Sequence, residues 1–412
     1  MKYLPKGWRL HSFSEICKPK EGLKRGPFGS AIKKEYFVPN GYKVYEQRNA
    51  IYDDVKKGNY FISAEKYNEL INFSVEPGDF IVSCSGTLGK ISQIPISAEK
   101  GVINQALLRI RVEENIISKK YFLYFFRSSD FQRKILIQSQ GTAMTNMVGM
   151  KDFKEIKIPI PPLETQQRIV SKIEELFSEL EKGVEELKKS LEQLKVYRQS
   201  VLKWAFEGRF TNENVKEGEL PKGWEWKSFD DIIEISKNKY NPKENKRLFY
   251  VGLEHIEKNT GSLIVKENFE EIRTLKNQFY KGELLYGKLR PNLNKVYLAK
   301  EDGVCSTDIL VLKTKGNCDL QFLKYLMLGS EFVNEMSENT NGVNLPRVST
   351  KFILEYQIKI PKLNEQHQIV QEIESRLSVA DKMEEQIKTS LQQAEALKQS
   401  ILKKAFSGEL VK

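Results

Sequence analysis

Cysteine and histidine are scarce in this sequence, and their placement argues against two kinds of site. Among 412 residues there are four cysteines and three histidines. The cysteines lie far apart without a CxxC pair, and the histidines lack the spacing of metal ligands. These residues are Cys17, Cys84, Cys305, Cys318, His11, His255 and His367. A disulfide framework and a zinc site are therefore not expected.

Long apolar segments are missing as well. The opening stretch MKYLPKGWRL lacks the apolar core of a secretory signal. No segment approaches the roughly 18 consecutive apolar residues of a membrane span. We therefore expect a cytoplasmic protein.

The sequence also lacks a recognisable catalytic constellation. It has no adenine methyltransferase motif, no glycine-rich cofactor loop after a strand and no metalloprotease helix. A P-loop needs four residues between its first glycine and its Gly-Lys pair, followed by Ser or Thr. In VSCSGTLGKIS, residues 82–92, only two residues separate Gly86 from Gly89, and Ile91 follows Lys90. An ATP site is therefore not expected in this stretch.

Scattered acids do not suggest a nuclease. Asp79 and Asp308 are predicted to be turn or structural groups rather than metal ligands. We therefore predict a chain that is not an enzyme and has no cofactor of its own.

What the sequence does contain is a long internal repeat. LPKGW at residues 4–8 returns at 220–224, and IPPLETQQRIV at 160–170 corresponds to IPKLNEQHQIV at 360–370. The LPKGW copies are 216 residues apart, whereas the second pair is 200 apart, as are RQSVLKWAFEG and KQSILKKAFSG, which begin at Arg198 and Lys398. Repeats of this length are whole domains, because solenoid units have periods of roughly 20 to 50 residues. The predicted segments are 1–160, 161–211, 212–360 and 361–412, a variable and a constant unit in tandem.

The constant units carry the pattern of long helices. Apolar residues recur at steps of three and four along 163–206, and the second copy repeats this seam. Proline precedes each stretch, while Gly208 and Gly408 fit C-terminal caps. At about 1.5 Å per residue, such a helix is about 66 Å long. One helix cannot bury its apolar stripe alone, so we expect the two copies to pair as an antiparallel coiled coil.

The variable units predict compact mixed domains. Short β-type runs alternate with Gly, Asn and Pro, and one apolar segment in each unit is predicted to be a helix, at residues 118–136 and 319–336. Candidate strands are DFIVSC, VINQALLRIRV, IVKENF and DILVLK. The expected fold class is α+β, with two globular mixed α/β domains separated by two long helices and related by a pseudo-two-fold tandem repeat.

Positive charge is concentrated in the first variable unit. Residues 1–160 hold 26 Lys and Arg against 16 Asp and Glu, whereas residues 212–360 hold 23 against 22. Within the second unit, Lys276 to Lys300 has six basic side chains against one acidic side chain. Clustered positive charge favours a polyanionic partner, most often nucleic acid, although a basic solvated surface would give the same counts.

A Gly-Lys turn between two predicted strands occurs in each variable unit, in SGTLGK and in YGKLRPNLNK. Such turns can be simple hairpin loops. They can also direct phosphate-binding and base-reading side chains at DNA, because Lys and Ser contact phosphates and Arg and Asn pair with purine edges. The candidate DNA-binding residues are Lys24, Arg25, Lys33, Lys34, Ser85, Thr87, Lys90, Lys288, Arg290, Asn292, Asn294 and Lys295.

Taken together, these segments give the chain its resemblance to a known family. LPKGW opens each half, GDFIVSCSGTLGKI and GELLYGKLRPNLNKVYLAKEDGVCSTDILVL lie in the variable units, IPIPPLETQQRIVSKI and IKIPKLNEQHQIVQEI lead into the helices, and LKKAFSGEL closes the chain. The chain resembles the specificity subunit of type I restriction-modification enzymes over essentially its whole length. The resemblance depends on the variable-constant arrangement more than on any single motif.

The resemblance implies a function in DNA recognition. The two variable units would be target recognition domains, each reading one half of a bipartite, asymmetric double-stranded DNA target. The helices would hold them at a fixed spacing, so that matched changes in helix length shift the recognised gap. Two modification (methyltransferase) subunits would dock on the helices, and restriction subunits would join the same assembly. S-adenosylmethionine, ATP and Mg²⁺ are implied only for those partner subunits.

Adjacent apolar pairs in both helices make a stripe wider than the seam of a two-stranded coiled coil. We predict that a second, exposed edge of this stripe docks the modification subunits and lets the isolated chain self-associate. The residues of this edge are Val170, Phe177, Leu202, Val370 and Leu402.

Two other functions stay open at this point. A coiled-coil scaffold whose side domains bind protein or carbohydrate would share the repeat and the helices. It would not bind duplex DNA specifically. An orphan nuclease would have to cleave DNA by itself with a divalent metal.

Overall fold

The repeat in the sequence returns as a repeat of secondary structure. The structure is a computed structural model, and it describes residues 4–138, 145–212, 215–216, 218–242, 247–264 and 269–411. The chain forms two compact units, the first from residues 1–186 and 390–412 and the second from residues 187–389. Each unit therefore contains one variable segment together with parts of both constant segments.

The first unit contains twelve strands in its described residues. They are β1 (Arg9–Ser12), β2 (Leu23–Arg25), β3 (Phe37–Val38), β4 (Tyr42–Tyr45), β5 (Phe61–Ile62), β6 (Phe80–Ser83), β7 (Ile91–Gln93), β8 (Gly101–Ile103), β9 (Leu107–Ile110), β10 (Leu136–Gln138), β11 (Thr145–Met147) and β12 (Lys157–Ile160). The helices are α1 (Gln47–Ile51), α2 (Ala64–Glu69), α3 (Lys119–Arg127), α4 (Ser129–Ile135), α5 (Met150–Glu155) and the start of α6 (Leu163–Phe206).

The described residues of the second unit give thirteen strands. They are β13 (Glu225–Ser228), β14 (Ile233–Ile235), β15 (Lys239–Tyr240), β16 (Arg247–Val251), β17 (Phe269–Glu271), β18 (Lys276–Phe279), β19 (Leu284–Gly287), β20 (Val296–Leu298), β21 (Gly303–Cys305), β22 (Ile309–Thr314), β23 (Thr340–Asn341), β24 (Arg347–Val348) and β25 (Gln357–Ile360). Its helices are α7 (Phe229–Ile232), α8 (Leu320–Leu328), α9 (Ser330–Glu338), α10 (Thr350–Glu355), the end of α6 and most of α11 (Leu363–Ser407).

Both units contain the same antiparallel four-stranded sheet. Its order is β2-β9-β6-β7 in the first unit and β14-β22-β19-β20 in the second. A second sheet differs more, with order β3-β5-β4-β8 against β15-β18-β21-β16-β17, although each contains one parallel pair, β4 with β8 and β16 with β21. In both units the first strand pairs with the last, β1 with β12 and β13 with β25. The fold is α+β, and the two units share one sheet and the pairing of their first and last strands while their second sheets differ.

Two of the predicted elements differ from the structure in a regular way. Residues 118–136 and 319–336, each predicted to be one helix, form two helices that break at Ser128 and Gly329. The Ser128 hydroxyl donates to the Phe125 carbonyl at 2.7 Å and accepts from the Phe131 N–H, which satisfies backbone groups at the break.

Two of the four candidate strands form single strands in the structure. DFIVSC contains β6, and DILVLK contains β22 except for the strand's last residue, Thr314, as predicted. VINQALLRIRV forms two strands, β8 and β9, rather than one. Of IVKENF, residues 265–268 lie outside the described residues.

Each long helix is docked by a buried glutamine at its start. The Gln166 side chain accepts from the Ser118 N–H at 2.8 Å and donates to the carbonyls of Ile116 and Pro161 at 2.8 and 2.9 Å. In the second unit Gln366 makes the corresponding bonds with Asp319, Asn317 and Pro361, at 2.8, 3.1 and 2.9 Å. The repeated glutamine therefore joins each helix to the globular domain that precedes it in the chain.

The far end of each helix docks on the other globular domain of the repeat. In the first unit the Gln399 side chain of α11 accepts from the Ser129 N–H at 2.9 Å, and in the second unit Gln199 of α6 accepts from the Ser330 N–H at 2.9 Å. Within each unit the two helices run antiparallel. Lys398 pairs with Glu181 in the first unit, and Arg198 pairs with Glu384 in the second.

The recurring LPKGW motif packs against the glycine that ends a helix. Gly408 has φ +84°, and a Cβ there would lie 2.4 Å from Pro5 Cγ. Gly208 has φ +78°, and a Cβ there would lie 2.5 Å from Pro221 Cγ. Glycine is required twice at each position, by the left-handed backbone and by the close approach of the proline. The predicted C-terminal caps agree with this geometry.

The predicted exposed edge on the helices is wrong. Val170 and Leu402 are 6% and 3% exposed within the core of the first unit, and Leu202 and Val370 are 4% and 7% exposed within that of the second. Phe177 is half-buried against Tyr124, with ring centroids 5.8 Å apart. The globular part of each unit covers Val170, Leu202, Val370 and Leu402, so these four side chains are not free to dock another subunit, and Phe177 is partly covered.

Candidate DNA interface

The Gly-Lys turn of the first unit joins β6 to β7 as a tight hairpin loop. The buried Ser83 hydroxyl donates to the Thr87 carbonyl at 2.6 Å and accepts from the Lys90 N–H at 3.0 Å. Gly86 and Gly89 both have left-handed backbones, with φ +62° and +71°. Sequence reasoning missed Ser83, although a serine just before a glycine-containing turn is a recognisable signal. The loop is therefore shaped by its own side chain and needs no bound phosphate.

In this turn Ser85, Thr87 and Lys90 are exposed to solvent, so they are accessible to a partner. Arg25 lies beside it, because its Nη2 donates to the Cys84 carbonyl at 3.3 Å. Burial lowers the pKa of Arg25 from its usual value, yet an arginine stays charged near neutral pH. Arg25 and Ser85 line one cleft together with Met147 and Met150. The structure thus brings these predicted residues together.

The other predicted lysines of the first unit lie outside the turn. The Lys24 ammonium lies 5.0 Å from the centroid of the Phe73 ring. Lys33 pairs with Glu35 at 3.5 Å, and Lys34 opens a short 3-10 helix, Lys34–Tyr36; both lysines are exposed. Among the described residues no hydrogen bond or ion pair joins Lys33 or Lys34 to the turn.

The corresponding loop of the second unit, residues 288–295, joins β19 to β20 and is longer. It contains a short 3-10 helix, Pro291–Leu293, flanked by Arg290 and Asn294 in left-handed conformations, with φ +51° and +43°. Such conformations are uncommon outside glycine and are strained for arginine. The Arg290 N–H donates to the Pro346 carbonyl at 2.8 Å, which holds the loop in place.

The five predicted contact residues of this loop divide into two groups. Arg290 and Asn292 are exposed, and Lys288 is half-buried. Asn294 is only 1% exposed, and its side-chain amide has no hydrogen-bond partner among the described residues. The Lys295 ammonium donates to the Ile256 carbonyl, and burial lowers its pKa. Burial therefore argues against direct DNA contacts by Asn294 and Lys295, whereas Arg290 and Asn292 remain accessible.

A hairpin that sequence reasoning missed supports this loop. The Val348 N–H donates to the Lys288 carbonyl at 3.1 Å, and the Lys288 N–H donates to the Asp308 carbonyl at 3.1 Å. The Arg347 guanidinium donates to both carboxylate oxygens of Asp308, at 3.1 and 3.3 Å, and this bonding raises the pKa of Arg347. Asp308 is thus a structural group, as predicted. The β23–β24 hairpin and the β19–β20 loop form one bonded surface.

Asp79 is structural as well. It is buried and accepts from Arg111 Nε at 2.8 Å. Burial is the largest influence on its carboxyl and raises its pKa, although the hydrogen bond from Arg111 opposes this. The predicted role of Asp79 therefore agrees with its surroundings.

The described part of the chain contains no cluster of metal-ligating side chains. No group of three or more His, Cys, Asp or Glu residues in it is placed to hold a metal ion. Burial raises the pKa values of the thiols of Cys17, Cys305 and Cys318 to about 12, so these side chains are protonated and unreactive near neutral pH. Within the same residues no helix is long and apolar enough to cross a bilayer.

Comparisons with known proteins agree on one family. The model of the type I restriction modification DNA specificity domain matches residues 5–192 and 221–393. The specificity subunit of the type I restriction enzyme EcoDI of Escherichia coli is 28% identical over 375 residues, which cover 85% of this chain and 82% of that protein. The EcoKI specificity subunit of Escherichia coli K12 is 23% identical, covering 82% of this chain and 75% of that protein.

Two solved structures share the fold. The first has a TM-score of 0.72 and is described as the "structural basis" of assembly and conformational transition of "the type I R-M system". The second, the HsdS subunit from Thermoanaerobacter tengcongensis, has a TM-score of 0.57. Each is 19% identical to this chain, and each match covers 99% of both chains. At this level of identity the similarity shows the fold.

Proposed function

Because the chain belongs to the type I restriction-modification DNA specificity family, we propose that its two globular domains each read one half of a bipartite, asymmetric DNA target. The chain is the DNA-specificity subunit of a type I restriction-modification system. The observation that carries this conclusion is the double match of the family model, one in each half of the chain. The alternative, a scaffold whose side domains do not bind DNA, has no support from the family or the relatives.

The asymmetry of the target follows from the two loops. The four-stranded sheet has the same strand order in both units, but the loop between its last two strands differs. In the first unit the loop is glycine-rich and presents Ser85, Thr87 and Lys90, whereas in the second it presents Arg290 and Asn292. Two different sets of hydrogen-bonding groups recognise two different half-sites.

We assign different roles to the candidate residues of the two loops and to the candidate lysines outside them. Arg290 and Asn292 can each make paired hydrogen bonds, with guanine and adenine respectively, and so read bases. Lysines act as point charges toward phosphate, and Lys24, Lys33, Lys34, Lys90 and Lys288 therefore position the duplex without reading it. The excess of 26 basic over 16 acidic residues in the first 160 supports this electrostatic contribution.

The partners supply the chemistry that this chain lacks. Two modification subunits and the restriction subunits bring S-adenosylmethionine, ATP and Mg²⁺, while the specificity subunit is not itself catalytic. We now assign docking on the helices to apolar side chains that the structure leaves exposed. These are Val196, Tyr197 and Trp204 on α6 and Val379 and Met383 on α11. Self-association of the isolated chain would use the same residues, and the fixed spacing of half-sites would follow from the paired lengths of α6 and α11.

The test of DNA reading is Arg290→Ala in the complete methyltransferase assembled from this chain and its modification subunits. The target is first identified by sequencing methylated adenines, and binding is measured by fluorescence anisotropy on that target and its single-base variants. Loss of a bidentate guanine contact should cost about 1 to 3 kcal/mol and relax specificity at one position only. Arg273→Ala is the matched control, because Arg273 is an exposed arginine of the same unit outside the loop.

Each alternative outcome has a definite meaning. An equal loss of affinity on all sequences would make Arg290 a phosphate contact. No loss at all would remove the β19–β20 loop from the interface. If the unmutated assembly showed no preference for any sequence, the proposed function itself would be wrong.

A further inference from the structure

The hairpin formed by β23 and β24 presents an uncharged tip to solvent. Val343 is 99% exposed, and its neighbours from Asn341 to Leu345 are exposed as well. Residues 339–348 contain no acidic side chain. The only basic one, Arg347, is engaged by Asp308. The tip therefore offers two amides and two aliphatic side chains, without any charge that would favour or oppose a phosphate.

A single exposed aliphatic residue is ordinary, but this one lies on a hairpin whose base is bonded to the loop that contains Arg290. The Arg290 N–H donates to the Pro346 carbonyl at 2.8 Å, and Leu289 and Arg347 form an antiparallel bridge. Leu345 of the tip and Arg290 of the loop line one cavity, together with Leu289 and Leu293. A hairpin bonded in this way stays fixed relative to Arg290, so both elements meet the same stretch of duplex.

The first unit shows the same juxtaposition. Its antiparallel pair β10–β11 precedes α5 as β23–β24 precedes α10. Met147 of β11 lines a cleft with Arg25 and Ser85, beside the Gly-Lys turn. The fold thus brings the same two elements together in both units, from segments about 50 residues apart in the sequence. A pair of elements that keeps its position while its sequence changes is where two different specificities can reside.

The chemistry of the tip matches one kind of base pair. In the major groove an A·T pair presents the N6 and N7 groups of adenine, which an amide can read, and the 5-methyl group of thymine, which prefers an apolar contact. This inference rests on the proposed function. We propose that the β23–β24 hairpin is a second base-reading element of the second unit, in which Val343 contacts a thymine 5-methyl group and Asn344 hydrogen-bonds to the paired adenine.

The test removes the methyl group from the DNA and the side chain from the protein, separately and together. The complete methyltransferase, with unmutated chain or with Val343→Ala, is bound to its target and to duplexes in which each thymine of the second half-site is replaced by deoxyuridine. We expect the unmutated enzyme to lose about fourfold in affinity at one thymine, the value for one buried methyl group. Val343→Ala should show a similar loss on normal DNA and no further loss at that thymine.

A matched control is Leu275→Ala, which removes another exposed aliphatic side chain of the same unit. It should keep both the affinity and the sensitivity to deoxyuridine. Folding is not in question, because a side chain that is 99% exposed adds nothing to the core. For the second half of the proposal, Asn344→Ala should relax discrimination at the same base pair.

The proposal is overturned if no thymine in the half-site is sensitive, if Val343→Ala keeps the sensitivity, or if the half-site contains no A·T pair other than the methylated one. Each of these results leaves sequence-specific binding by the unmutated enzyme intact. They are therefore distinct from a failure of the proposed function, in which that binding is absent from the start.

Discussion

Replacing Gln366 with alanine should open the junction between α11 and the second globular domain while leaving the first domain unaffected. The Gln366 side chain is completely buried and makes three hydrogen bonds, at 2.8, 3.1 and 2.9 Å. Alanine strands the Asp319 N–H and the carbonyls of Asn317 and Pro361 away from water. A buried group left without its partner costs about 1 to 3 kcal/mol, and carbonyls with a second lone pair are at the lower end.

Partial relaxation of the junction leaves an expected loss of about 3 kcal/mol in the local opening free energy. This corresponds to an increase of about 100-fold in the exchange rate of protected amides. Hydrogen exchange with mass spectrometry on the full chain measures it, by comparing peptides around Asp319 with peptides around Ser118. The repeat supplies its own control, because Gln166→Ala should show the opposite pattern.

Gln366→Glu separates hydrogen bonding from packing. Its carboxylate can still accept from the Asp319 N–H, but its second oxygen faces the carbonyls of Asn317 and Pro361, so protection should fall at least as far. The reasoning is refuted if Gln366→Ala leaves exchange near Asp319 unchanged, or raises it equally in both units.

Two further predictions concern the helices. The hydrogen bond from Lys388, with a further contribution from Arg198, lowers the pKa of Glu384, so its contribution to stability is present above the unfolded pKa of 4.5 and is lost as the pH falls through the lower folded pKa. Because Glu384 is 34% exposed, screening by solvent limits this contribution to about 1 kcal/mol. Thermal unfolding of Glu384→Gln, measured as a function of pH, should lack this loss of stability in acid. An unaltered pH dependence would exclude Glu384 as its source. Trp204→Ala should weaken the retention of co-expressed modification subunits by at least about tenfold, as expected for an exposed aromatic residue at an interface. Tyr280→Ala, which removes another exposed aromatic side chain, should not weaken it. Equal retention by both variants would exclude Trp204 as an interface residue.

The parts of the fold that could be predicted from sequence are those fixed by local pattern or by the repeat. The recurrence of an apolar residue at every third or fourth position predicted the helices, which the structure places at Leu163–Phe206 and Leu363–Ser407. The Gly-Lys pairs predicted a turn between strands, and Ser85, Thr87, Lys90 and Arg290 are exposed on such turns. In these cases the nearest neighbours in the chain determine the conformation.

What could not be predicted depends on contacts between distant segments. Val170 and Leu402 were predicted to be exposed because the helical pattern contains no information about the domain that buries them. Asn294 was predicted to contact DNA, but its side chain is buried at the end of the 3-10 helix. The β23–β24 hairpin has strands of only two residues, which no periodicity reveals, and it acquires its position through bonds to Lys288 and Arg290.

The reciprocal docking of the helices has a consequence for the order in which the protein is completed during synthesis. The core of the first unit includes Ile401, Leu402 and Phe406, and Gly408 packs against Pro5 near the start of the chain. A ribosome therefore synthesises every residue of the second unit, which ends at Thr389, before it adds the helical residues that complete the core of the first unit. The domain that is translated first is therefore completed last, and its apolar surface around Trp8 and Tyr121 stays uncovered until the residues around Phe406 have been made.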